Sequence, residues 1–180
     1  MITLLLTALA LDPCSLLDAK SIAQVQGAVP TQTKASEHPD GPFTGRQCFF
    51  TLPEFVKSIS FEVTQPNPGT RPAELRKRWA QLSGKDKERE RELEREEKDK
   101  GKAGARGEED EEGKPPKPVR GVGKGAVWIG DARVGALYVL APTAIVRVSV
   151  GGAGDEPSKI KACSALARNA LQNLLHPKKG

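Results

Sequence analysis

The sequence predicts an α+β domain: an antiparallel sheet of about five strands, packed by an N-terminal short helix, a middle helix and a C-terminal amphipathic helix, and interrupted by a charged low-complexity insertion. Three observations carry this. Residues 121–152 (GVGKGAVWIGDARVGALYVLAPTAIVRVSVGG) hold three runs rich in β-branched and aromatic residues, joined by links too short for crossover helices. Ile59, Phe61 and Val63 alternate with Ser58, Ser60 and Glu62, the period of a half-buried strand. Ile160, Cys163, Ala167, Ala170, Leu171 and Leu174 recur at helical spacing near the C-terminus.

Taken in order, residues 1–10 (MITLLLTALA) are apolar, uncharged and end in small residues suited to signal peptidase. They read as the tail of a signal peptide whose start lies upstream. No other run approaches the ~18 apolar residues of a membrane span. Asp12-Pro13 precede Cys14, so that cysteine is not in a lipobox. Asp18 as N-cap and Gly27 just past the end bracket a short helix bearing Ile22 and Val25. Residues 28–45, with Pro30, Pro39, Gly41, Pro42 and Gly45, read as an exposed loop. Residues 46–52 and 57–64 read as a hairpin turning at Pro53-Glu54.

Thr70 is the expected cap of a middle helix starting near Pro72, with Leu75, Trp79 and Leu82 as its apolar stripe. Residues 85–100 (KDKERERELEREEKDK) carry Leu93 as their one apolar residue, which leaves no seam for a coiled coil. Glycines and prolines follow, and the run reads as a solvated helical or disordered arm. The three central strands are expected at residues 126–130, 135–140 and 144–150, with Val146, Val148 and Val150 facing the core. Asp155 and Ser158 mark the start of the last helix. The chain therefore divides into residues 1–10 (truncated signal peptide), 11–82 (first part of the domain), 83–119 (insertion), 120–176 (second part) and 177–180 (tail).

The 180 residues carry a net charge of +5, with 37% hydrophobic and 28% charged residues. Residues 85–112 hold nine basic and thirteen acidic side chains, so the rest of the chain stands at +9. Aromatic residues are 4% of the chain, which argues against single-strand nucleic-acid binding.

The segment Asp12-Pro13-Cys14-Ser15-Leu16-Leu17, followed by a short helix and by Cys48 with Phe49-Phe50, resembles the opening of a class of small exported bacterial proteins, many of them lipoproteins. The close, strands feeding a helix with Ile160, Ala167 and Leu171, is similar too. The resemblance covers residues 11–65 and 120–175. It implies export and an α/β sandwich of the PsbP-like kind, and supplies no activity.

Export permits disulfides. A Cys14–Cys48 bond would pin the N-terminal segment to the first strand and stabilise the domain by about 3–4 kcal/mol in the chain-entropy model. Cys163 falls on the apolar face of the last helix and reads as a buried, inert thiol. Residues 121–125 (GVGKG) are followed by Ala126 and a strand, where a phosphate loop needs Ser or Thr after the Lys and then a helix, so they read as a β-turn entering an edge strand. His38 and His176 have no Cys or carboxylate spacing suited to a metal, and nothing calls for a cofactor.

The expected function is thus a non-catalytic binding or accessory domain of the cell envelope, exported to the periplasm or cell surface, with another envelope protein or an anionic surface as partner. Nucleic acid is not expected. Two alternatives stand beside it: an enzyme of unrecognised type with a site on the sheet near Arg147 and Asp131, and a basic nucleic-acid-binding protein.

Overall fold

The computed structural model describes residues 11–84 and 115–176. The signal-peptide reading of residues 1–10, most of the charged insertion and the tail lie outside these residues. The described elements are the helices α1 (Ala19–Gln26), α2 (Pro72–Leu82) and α3 (Glu156–Leu175), with strands β1 (Gln32–Asp40), β2 (Phe43–Thr51), β3 (Ile59–Pro66), β4 (Lys117–Val119), β5 (Gly125–Gly130), β6 (Gly135–Leu140) and β7 (Ile145–Val150). Short 3-10 turns cover Pro13–Leu16 and Phe55–Lys57.

The sheet has seven strands, not about five, in the order β1-β2-β3-β7-β6-β5-β4. Every pairing is antiparallel. Two meanders, β1-β2-β3 and β4-β5-β6-β7, meet where β3 pairs with β7. Both extra strands are edges. The segment expected to be loop forms β1 and the start of β2, turning at Asp40↔Phe43 through Gly41 at φ 56°. Lys117–Val119, expected at the end of the insertion, forms β4 against β5.

Registry explains which side chains are buried. The row Cys48, Phe61, Val148, Leu137, Trp128 runs straight across five strands on one face. With the neighbouring rows, it builds a core that α1 and α3 cover, through Ile22 from α1 and Leu166, Ala167 and Ala170 from α3. Val146 and Val148 are fully buried there, and Val150 nearly so. Each such side chain contributes about 1.5–3 kcal/mol on burial. The opposite face is covered only in part. Leu75 and Trp79 of α2 pack there on Phe43, Val127 and Ile145.

The helix ends follow local chemistry. Asp18 accepts from the Ser21 amide at 2.7 Å, and Gly27 closes α1 at φ 80°. Asp155 accepts from the Ser158 amide at 2.9 Å. Thr70 does not cap α2: the N-cap is Arg71, without a side-chain bond, and the Thr70 hydroxyl instead donates to the Pro42 carbonyl at 2.9 Å. That bond ties the β3–α2 link to the β1–β2 turn. Gly121 to Lys124 form the connection between β4 and β5, so the strand they enter is interior rather than an edge.

Candidate functional site

Three features stand out: an N-terminal clip, a polar row on the partly covered sheet face, and a groove at one end of the sheet.

The clip is built from the Asp12–Leu17 segment. The Asp12 carboxylate accepts from the Cys14 amide at 2.9 Å, and Pro13 opens the 3-10 turn. The turn drives Leu16 and Leu17 into the main core. Cys14 and Cys48 are brought together as a disulfide, S–S 2.04 Å. Cys163 is the free thiol among the described residues, and burial pushes its pKa up to about 11. A thiol held neutral in this way is a poor nucleophile.

The polar row lies one residue out of step with the core row. Ser36, Gln47, Glu62, Arg147 and Tyr138 stand side by side on consecutive strands. Arg147 donates from Nε to the Tyr138 hydroxyl at 3.2 Å and from Nη1 to Ser60 Oγ at 3.3 Å. Gln47 Nε2 also donates to Ser60 Oγ, at 2.8 Å. Both of these Ser60 partners are donors, so neither could take its proton, as a nucleophilic serine requires. His38 places Nε2 3.9 Å from Glu62 Oε1. Gly45 makes room for this: a Cβ there would come within 2.5 Å of the imidazole. Glu62, Thr64, Arg78, Tyr138 and Arg147 line a cavity of about 220 Å³.

Asp131 is not part of this array. It sits in the β5–β6 turn, where its Oδ1 accepts from the amides of Arg133 (2.7 Å) and Val134 (3.0 Å). Arg147 lies on β7 opposite Tyr138, and its described hydrogen bonds go to Tyr138 and Ser60. Trp128 is buried in the core, and Tyr138 packs beside Trp79 and Ile145. His176 lies at the exposed end of α3, far along the helix from Cys163.

The groove holds about 670 Å³ at the end of the sheet where β3 and β6 finish. Its cations are Arg46 from β2, Arg76 from α2 and Lys124 from the β4–β5 connection. No local pattern marks these three, because each comes from a different element and the closure of the sheet brings them together. Among the described residues no cluster of three or more His, Cys, Asp or Glu side chains could hold a metal. No described helix is long and apolar enough to cross a membrane.

No protein-family model, curated protein or solved structure matches the chain.

Proposed function

We propose that the chain is an exported accessory domain of the cell envelope that acts by binding rather than by catalysis. The observation that carries this reading is the Cys14–Cys48 disulfide, a cross-link that persists in oxidising compartments. The resemblance of the Asp12–Leu17 opening to that of small exported bacterial proteins supports it. Contact as the mode of action draws support from the half-covered sheet face. There Phe49 and Phe55 pack with ring centroids 6.1 Å apart, while Phe55 and Val56 are 68% and 70% exposed. Exposed apolar groups beside a polar array suit a protein partner better than open water. Fractionation of the native host tests the reading. The expected result is protein in the exported fraction with one titratable thiol after unfolding without reductant, and an envelope partner recovered by cross-linking. Cytoplasmic protein with three free thiols, or no partner above background in low and high salt, would overturn it.

A second reading rests on the cavity between α2 and the polar row. Glu62, Tyr138 and Arg147 converge there as an acid, a hydroxyl and a cation, the makings of a small catalytic site. A screen with chromogenic esters, phosphates and glycosides tests it. Turnover abolished in both Glu62→Gln and Tyr138→Phe supports an enzyme; no turnover of any substrate by the full chain removes it.

A further inference from the structure

The groove at the end of the sheet combines features that the two smaller cavities, beside Arg147 and beside Pro13, do not have together. Its walls carry Arg46, Arg76 and Lys124, and no carboxylate lines it. Arg46 is already engaged, donating from Nε to Glu37 Oε2 at 2.7 Å and from Nη1 to Gln65 Oε1 at 3.2 Å. The side chains of Arg76 and Lys124 have no hydrogen-bond or ion-pair partner among the described residues. Two positive charges therefore face one concave space without local compensation. The main chain at Lys124 is tied to β6, since its amide donates to the Leu140 carbonyl at 2.9 Å. The first turn of α2 also lines the groove, and its N-cap, Arg71, makes no side-chain capping bond.

The rest of the lining is mixed: Thr44, Gln65, Asn67, Thr70 and Thr143 are polar, and the other residues form an apolar stretch. Leu75 and Leu140 form part of it, with prolines from the β3–α2 link and the β6–β7 turn. The volume of about 670 Å³ falls within the range of small-molecule sites. A fully hydrated ion would leave the apolar wall in water, and an uncharged apolar molecule would leave Arg76 and Lys124 uncompensated. We propose that this groove binds a small amphipathic anion, a carboxylate or phosphate head carried on an apolar body. The head sits between Arg76 and Lys124, and the body lies along Leu75 and Leu140. The site stands whether or not the chain is exported, so its failure leaves the proposed compartment untouched.

Calorimetric titration of the full chain at low salt tests it, with octanoate, octyl phosphate, octanol and inorganic phosphate as probes. The expected result is one site for octanoate or octyl phosphate, with octanol and inorganic phosphate each binding about tenfold more weakly or worse. The tighter of the two anions identifies the head group. Arg76→Gln with Lys124→Gln should weaken that binding by about tenfold or more while leaving the thermal melt unchanged, because neither side chain holds a described partner. Leu140→Ser should weaken it without altering its salt dependence. Three results would overturn the site: no binding of either amphipathic anion at millimolar concentration, equal binding of octanol, or binding indifferent to the double substitution in a variant that still folds.

Discussion

Gly84 and Pro116 meet. A Cβ built on Gly84 would lie 3.6 Å from both Cδ and Cγ of the Pro116 ring, although thirty-one residues separate the two in sequence. The two described ends of the chain on either side of the long charged segment therefore lie at one place. Replacing residues 85–114 with a four-residue Gly/Ser linker shortens the closed loop by about three halvings. At about 0.6 kcal/mol each, the domain should gain about 2 kcal/mol. Urea unfolding of the two chains measures this. A loss of similar size would mean that the segment packs on the domain.

The Cys14–Cys48 bond ties the first turn of the domain to β2, closing a sequence separation of 34 residues. Replacing both cysteines by alanine should cost about 3–4 kcal/mol. The expected signature is a lower urea midpoint, with the same drop in the unsubstituted chain under reductant. If reductant leaves the midpoint of the original chain where it was, the bond contributes nothing to the fold.

Asp18 serves two helices at once. Its Oδ1 caps α1 at the Ser21 amide, and its Oδ2 accepts from Asn169 Nδ2 of α3 at 3.3 Å. Asp18→Ala should cost about 1–2 kcal/mol, more than a cap alone. In a double-mutant cycle with Asn169→Ala the coupling should be about 0.5–1 kcal/mol. Additive losses would show that the two helices are not joined through this carboxylate.

Burial sets the pH response of Cys163. Its folded pKa of about 11 lies above the ordinary thiol value of 9.0. Between these values the unfolded chain releases the thiol proton and the folded one keeps it. Stability is then full below pH 9 and falls as pH rises toward 11, by about 2–3 kcal/mol in total. Cys163→Ala should lack this component of the alkaline loss. In the native chain at pH about 8, alkylating reagents should leave Cys163 unmodified until denaturant is added.

Much of the fold was legible because the buried strands announce themselves. Ile59, Phe61, Val63 and Val146, Val148, Val150 alternate cleanly, and all six lie in the main core. The caps Asp18 and Asp155 act through short-range chemistry that needs no tertiary context. The edge strands were not legible. β1 (QTKASEHPD) is exposed along almost its whole length, so it has no hydrophobic period and is held by its ladder with β2. Its Lys34 and Pro39 are the residues that discourage further pairing at an edge, and the same residues make it read as loop. β4 is three residues long and contains Pro118. Thr70 was misread because an N-cap signal competes with a tertiary acceptor, the Pro42 carbonyl, visible only once β1 and β2 have turned.

The candidate sites followed the same division. Cys14 and Cys48 could be paired from their places at the start of a helix and on a strand. The groove could not, since Arg46, Arg76 and Lys124 share no spacing.

From the residues alone came the α+β class, the three helices, the central antiparallel strands and the buried character of Cys163, because periodicity and capping act over one or two turns of chain. Only the tertiary structure decided that the sheet has seven strands, that β3 and β7 join its two meanders, and that three distant cations surround one groove. Those outcomes depend on which strand edges meet in space, and the free energy that selects the pairing comes from burying the core face across several strands together.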